Sequence, residues 1–235
     1  MPSRWLTLAT DALELLQWAY GTFPRLALVA SFQAESSVLI DMASRVTKDV
    51  RVLTIDTGRL PEETHEVMDR LRDRYGIAFQ VLTPEPEEVR QLVAEHGASP
   101  FYRSVDLRWL CCELRKARPL ARALLGYDAW ITGVRRDQAP TRAQMKAVDI
   151  DGGHEGIAKI APLAEWSGEQ VWEYIRSRDV PYNRLYDQGY TSIGCAPCTR
   201  ATHPGEESRA GRWWWEHDQV KECGLHWMER ERSQR

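Results

Sequence analysis

The chain has no long apolar run. Nothing in its 235 residues approaches the ~20 consecutive apolar positions a membrane-spanning helix requires, so no membrane role is expected. Met1-Pro2-Ser3-Arg4-Trp5 leads into no apolar signal region or small-residue cleavage site. No internal repeat and no low-complexity linker is visible. An excess of positive charge is missing as well. Lys+Arg number 31 against 34 Asp+Glu, a net charge of -3, which disfavours a nucleic-acid coat. Cysteine is scarce, with five in all. The expected setting is cytoplasmic and reducing, where paired cysteines more often mean metal or redox chemistry than structural disulfides.

What is present suits one compact globular domain, or one with an appendage: 43% hydrophobic and 28% charged residues. Ala9, Ala12, Leu13, Leu16, Ala19 and Tyr20 have the spacing of an amphipathic helix. Leu26 to Ala30 reads as a buried strand, followed by polar Ser31 to Ser36 and a helical stretch from Ser37 to Val46. Val50 to Ile55 is a second strand. Pro61 then suits a helix N1 position, and Glu62 and Glu63 its positive end, for a helix to about Tyr75. Phe79 to Leu82 is a third strand, Glu87 to His96 and Glu113 to Leu125 are helices, and Ala129 to Gly133 is a fourth strand. Asp149 to Gly153 looks like a hairpin turn finishing near Ile160. Ser167 is an N-cap for a helix to Arg178. Strands alternating with helices predict an α/β fold, a parallel sheet with helices on both faces. The division expected is 1–192 as a nucleotide-binding domain and 193–235 as a C-terminal tail.

Ligands of such sheets bind beyond the carboxyl ends of the strands. Three polar loops lie there. Ser31-Phe32-Gln33-Ala34-Glu35-Ser36-Ser37 holds no glycine and is not the Walker pattern; its hydroxyls and the following helix N–H groups suit an anion, and an ordinary helix cap is the bland alternative. Asp56-Thr57-Gly58-Arg59 offers a backbone turn and a cation. Gly133-Val134-Arg135-Arg136-Asp137-Gln138, with Thr141-Arg142, brings three arginines whose forked guanidinium groups match phosphate or sulfate oxygens. A solvated loop is the alternative there.

The cysteines fall into pairs. Adjacent Cys111-Cys112 is unusual for zinc, whose ligand pairs are normally separated. A four-iron cubane has separate corners that neighbouring thiolates can reach. Cys195-Ala196-Pro197-Cys198 has the gap common to both kinds of site. An iron–sulfur cluster, a zinc ion and a redox dithiol all remain open on the residues alone. Lys116, about one helical turn past Cys112, faces the cluster or a nearby anion, or is a surface lysine. Cys223 is the odd thiol left for chemistry, with Lys221 and His226 placed to favour its thiolate. Arg209 and Arg212, three apart, are candidates to grip an anionic substrate beside it. Trp213-Trp214-Trp215 reads as packing that seats the tail, with adenine stacking as the sharper alternative. His65, His96, His154, His203 and His217 carry no ligand spacing.

Assembled, these residues resemble the assimilatory sulfonucleotide reductases, most closely the bacterial adenylyl-sulfate (APS) branch, from about Ser31 to His226. The resemblance rests on Ser31-Phe32-Gln33-Ala34-Glu35, Asp56-Thr57-Gly58-Arg59-Leu60, Cys111-Cys112 with Lys116, Gly133-Val134-Arg135-Arg136-Asp137-Gln138, Cys195-Ala196-Pro197-Cys198, Gly211-Arg212-Trp213-Trp214-Trp215-Glu216 and Lys221-Glu222-Cys223-Gly224-Leu225-His226. It implies a fold like the adenine nucleotide α-hydrolases and ATP-pyrophosphatases. Their Ser-Gly-Gly-x-Asp-Ser loop is replaced here by Ser31 to Ser36, which suits a substrate whose β position is sulfate.

The resemblance further implies a [4Fe-4S] cluster on Cys111, Cys112, Cys195 and Cys198, a feature that the branch using 3′-phosphoadenylyl sulfate (PAPS) typically lacks. It implies APS reduction to sulfite and AMP through a Cys223 S-sulfonate, with thioredoxin or glutaredoxin as reductant, in assimilatory sulfate reduction. The adenosine is expected near Ile55 and Gly133. The phosphosulfate is expected at Ser31, Lys116, Arg209, Arg212 and His226, with Thr57, Gly58, Arg59, Arg135, Arg136 and Arg142 as further binding candidates. A homo-oligomer stays open, and no nucleic acid is expected. The rival readings are a PAPS or dual-substrate reductase, a tRNA sulfur-transfer enzyme and a non-catalytic zinc protein.

Overall fold

The computed structural model describes residues 12–216. The start expected for the first helix at Ala9, and His217, Lys221, Cys223 and His226, fall outside the described residues. Six strands form one sheet in the order β3-β2-β1-β4-β6-β5. They are β1 (Leu26–Ala30), β2 (Val52–Ile55), β3 (Phe79–Leu82), β4 (Ala129–Thr132), β5 (Val148–Asp151) and β6 (Ile157–Ile160). All neighbours pair in parallel except β5 with β6. Strands β1 and β4 are apolar nearly end to end because both of their faces are covered. The hairpin expected to finish near Ile160 exists, but Asp149, Ile150 and Asp151, expected in its turn, belong to strand β5, and the turn falls at 152–156. Its second strand β6 also joins the main sheet beside β4, which leaves β5 as an antiparallel edge.

Alternate residues of each strand serve opposite layers. Leu26 and Leu28 of β1, Val52 of β2, and Ala129 and Ile131 of β4 pack with α1 (Ala12–Thr22), α2 (Ala34–Val46), α3 (Glu62–Tyr75) and α7 (Gly168–Arg178). Ala27, Leu53 and Trp130 point the other way, onto Leu120 and Leu124 of α6 (Arg118–Leu124). Helix α2 is buried from Ala34 through Ala43. Its Ser, Asp and β-branched residues give it little intrinsic helical preference. Packing holds it: Val38, Leu39 and Ile40 are each 0% exposed, and burying such a side chain contributes ~1.5–3 kcal/mol.

Three local differences from the sequence reading shape the site. Helix α2 begins at Ala34 rather than Ser37, so Glu35 and Ser36 sit in its first turn. Val105–Cys112 is an unanticipated helix, α5, capped by the Ser104 side chain, which accepts the Leu107 N–H. The helix expected from Glu113 instead opens with a π turn, Glu113–Ala117, before α6. Such wider turns concentrate at functional sites. Pro61 stands at the N-cap of α3 rather than at N1, with Glu62 and Glu63 in the first turn as expected. Ser167 and Gln170 form a reciprocal capping box on α7, and Gly76 closes α3 with φ 64°.

Candidate functional site

One cavity opens at the carboxyl ends of the parallel strands. Ala30 and Ser31 after β1, Ile55 at the end of β2, and Thr132 and Gly133 after β4 line it. Residues 191–194, with Ser208, Arg209 and Arg212, complete its lining. Gly133 is required by close approach: a Cβ there would lie 2.8 Å from Glu35 Cβ, inside van der Waals contact. The first turn of α2 therefore rests directly on the end of β4.

The first loop is shaped by its own side chains. Phe32 takes a left-handed backbone (φ 56°) and buries its ring completely. Gln33 reaches across the cavity rim, where its Oε1 accepts the Ile193 N–H at 2.8 Å. The Ser31 N–H is given to Ser36 Oγ at 3.0 Å. A loop built this way is tied to the returning segment 192–193, which a glycine pair has no side chain to do.

The arginines of the third loop divide. Arg135 lines the cavity but is neutralised. Its Nε donates to Glu35 Oε1 at 3.0 Å, and Nη1 to Asp137 and the Trp166 carbonyl. Gln138 Nε2 reaches the same Glu35 oxygen at 2.9 Å, and Arg142 donates to Gln138 Oε1. Arg135 thus fastens the first loop to the third. Arg142 lines the cavity. Arg136 is not among the lining residues; it pairs with Glu165 and the Met145 carbonyl.

The second loop faces the cysteines instead of the cavity. Thr57 Oγ1 lies 3.3 Å from Cys195 Sγ, and the Arg59 carbonyl accepts the Ala196 N–H at 2.8 Å. The Arg59 side chain goes to the Ala98 carbonyl and over the Phe101 ring. Gly58 turns with φ 69°, its N–H given to Asp56 Oδ1. Thr57, Gly58 and Arg59 are absent from the cavity lining, while Ser31, Ile55, Lys116, Gly133, Arg135, Arg142, Arg209 and Arg212 belong to it.

Cys111 and Cys112 at the end of α5 and the Cys195–Cys198 turn share one apolar cluster with Leu92, Phe101, Leu114 and Trp213. All four thiols are free and buried. Burial, with Cys195 next, pushes the Cys198 thiol up to about 12 against the pull of Lys116 and Arg212. Burial likewise raises Cys111, with Cys195 adding and Arg115, Arg59 and Lys116 opposing. Burial thus holds the Cys111 and Cys198 thiols in the protonated form unless a cation takes them. Three buried donors nearby have no partner among the described residues: Trp213 Nε1, Arg115 Nε and Arg212 Nε. Arg115 Nη1 is fixed on the Thr57 carbonyl at 2.7 Å. Unspent donors around buried thiols suit a group with net negative charge. No three His, Cys, Asp or Glu side chains among the described residues stand close enough for a single metal ion.

Lys116 joins the two regions. It lines the cavity, and its charge acts on both Cys111 and Cys198. The π turn sets it there, a device that helical periodicity alone does not signal. Arg212, from farther along the chain, also lines the cavity and acts on Cys198. It donates to the Ile193 carbonyl, stacks on Trp213 at 4.7 Å and faces the cavity. Trp213, Trp214 and Trp215 are not among the cavity-lining residues. Trp213 is fully buried, and Trp215 Nε1 donates to the Phe101 carbonyl. Packing is the reading of the triplet that this placement carries. Arg115 and Tyr186 carry no signal in the sequence, and Gln33, Glu35 and Gln138 appear there only as members of loop motifs, because each acts through a partner distant in the chain.

Residues 25–201 match the phosphoadenosine phosphosulfate reductase domain. The chain is 46% identical over 215 residues to the adenosine 5′-phosphosulfate reductase of Allochromatium vinosum, covering 92% of this chain and 84% of that protein. It is similar in structure to the phosphoadenylyl-sulfate (PAPS) reductase of Candida auris, with TM-score 0.69 and 32% identity over 81% of this chain and 91% of that one. An FMN adenylyltransferase of Candida glabrata shares the fold at TM-score 0.58 and 12% identity, covering 97% of this chain and 78% of that one.

Proposed function

The chain belongs to the phosphoadenosine phosphosulfate reductase domain family, and from that membership we propose that it reduces APS to sulfite and AMP in sulfate assimilation. The observation that carries the reading is the pair Lys116 and Arg212, which line the nucleotide cavity while their charges act on the buried thiols. A phosphosulfate placed there meets the cations Lys116 and Arg212, and Cys223 follows Glu216 by seven positions in the chain.

The strand ends receive the adenosine, with Ile55, Gly133 and Ser31 on the lining. Lys116, Arg142, Arg209 and Arg212 hold the phosphosulfate and stabilise charge on the departing phosphate. The Cys223 thiolate forms a bond to the APS sulfur as the sulfur–oxygen bond to phosphate breaks, and the electron pair leaves with AMP. A thiolate of a dithiol protein of the thioredoxin class then attacks Cys223 Sγ. Sulfite departs with the sulfur–sulfur bond pair, the mixed disulfide is resolved by the second thiol, and two thiols have been oxidised for one sulfur reduced. His226 is assigned to the same substrate.

Cys111, Cys112, Cys195 and Cys198 would hold a [4Fe-4S] cluster, with Trp213, Arg115, Arg212 and Thr57 donating toward it. When bound, the cluster supplies a tie between α5 and the 195–198 turn and a charge balanced by Lys116.

The decisive experiment is mass spectrometry of the enzyme mixed with APS alone. The peptide containing Cys223 is expected to gain one sulfonate, and the Cys223→Ser protein none. An unmodified Cys223 peptide in active enzyme would overturn the assignment. Steady-state comparison of the two nucleotides is expected to show kcat/KM higher for APS than for PAPS.

A further inference from the structure

The head of α2 has spent most of its backbone donors. The N–H groups of Ser36 and Ser37 go to the Gln33 carbonyl at 3.0 and 3.3 Å. The Ala34 N–H goes to the Tyr186 hydroxyl oxygen at 3.2 Å, across 152 positions of chain. Tyr186 therefore takes the place of a capping side chain, since Gln33 makes no cap bond. It comes from the 3₁₀ turn Arg184–Gln188, which is itself fixed by the buried Asn183, whose Oδ1 accepts the Leu185 N–H at 3.1 Å and whose Nδ2 donates to Thr64 at 3.0 Å. Its ring meets Trp172 edge-on at 4.9 Å. The position of this phenol is thus set from three sides.

A phenol that accepts a hydrogen bond still has its own proton to give. Tyr186 lines the cavity, and its O–H has no acceptor among the described residues. Burial and the Glu35 charge keep the proton on it, raising its pKa above 10.0. A donor that itself accepts from a helix N-terminal N–H is polarised and so strengthened. The acceptor it suits is a neutral oxygen. Lys116, Arg209 and Arg212 supply cations for the phosphosulfate, whereas the charges acting on Tyr186, Glu35 and the Arg135 paired with it, oppose each other.

We propose that Tyr186 is a nucleotide-recognition residue that donates its hydroxyl proton to a ribose hydroxyl oxygen of the adenosine, relaying the α2 N-terminus into the cavity. This rests on the nucleotide reading of the cavity given above.

The test is equilibrium binding of AMP, 2′-deoxy-AMP and 3′-deoxy-AMP to the full-length, cluster-loaded wild type and to Tyr186→Phe, which keeps the ring and its contact with Trp172. Wild type is expected to bind AMP roughly five-fold more tightly than one of the two deoxynucleotides. Tyr186→Phe should lose about that factor for AMP and be indifferent to removal of that hydroxyl. With APS, its KM should rise while kcat stays within about two-fold. AMP binding by Tyr186→Phe equal to wild type would overturn the assignment. So would a loss that persists undiminished with both deoxynucleotides, since the phenol would then act on the loop and not on the sugar. Failure of the wild type itself to bind AMP or turn over APS would remove the nucleotide reading and this assignment with it.

Discussion

Arg108 and Glu216 form a fully enclosed ion pair, Nε to Oε1 at 2.5 Å, with side chains 1% and 4% exposed. The guanidinium is stacked over Trp213 at 4.3 Å and Trp109 at 4.6 Å. Arg108 stands three positions before Cys111 on α5, and Glu216 is the last described residue before the segment carrying Cys223. The pair joins α5, which carries Cys111 and Cys112, to the end of the described chain at Glu216.

Removing one member of such a pair leaves a buried charge without its counterpart. Glu216→Gln is expected to lower unfolding free energy by ~3 kcal/mol, and Arg108→Met with Glu216→Gln to recover much of that loss. Denaturant titration of the cluster-loaded proteins measures both. A single variant within ~0.5 kcal/mol of wild type would show that the pair carries no such burden.

Gly194 lies under the Arg212 guanidinium, where any Cβ would collide with it. The guanidinium is the far end of a flexible side chain, so Gly194→Ala should move Arg212 and leave the fold. The expected result is a KM for APS about ten-fold higher, the size of one charge-assisted hydrogen bond, with the melting temperature unchanged. An unchanged KM would remove Arg212 from substrate binding.

Lys116→Ala should reduce kcat by about 100-fold, as loss of a charge donor to the developing anion does. Melting temperature and cluster absorbance are expected to hold, because Lys116 sits at the cavity wall. Wild-type turnover would return it to an ordinary surface role.

Alkaline pH should weaken the fold through the phenols that share Asp41. Tyr75 donates to Asp41 Oδ1 at 2.8 Å, and Tyr174 donates to Oδ2. Burial first, then these bonds, raises both from 10.0, Tyr174 to about 12. The unfolded chain ionises near 10 and the folded chain higher, so this stability is complete below pH 10 and lost as pH rises toward 12. Denaturation of Tyr174→Phe from about pH 9 to about pH 12 should give a shallower fall than wild type. Equal slopes would show that Tyr174 titrates alike in both states.

The alternation of short apolar runs with amphipathic stretches was sufficient to assign a parallel α/β sheet, because period-2 and period-3.6 burial are local properties of the chain. The cysteine pairs, the three loops after strands and Lys116 were legible for the same reason: strand ends and residue chemistry are written in order along the sequence. The division of the arginines was not legible. Arg135, Arg136 and Arg142 look alike in sequence, and only the fold gives Arg135 to Glu35, Arg136 to Glu165, and Arg142 to the cavity wall. Thr57 and Arg59 likewise turned toward the cysteines because the Cys195–Cys198 turn packs on their loop. The placements of Glu35, Tyr186 and Glu216 depend on partners 100, 152 and 108 positions away. Contacts of that range are fixed by how the layers stack, and a side chain's neighbours along the chain carry no record of them.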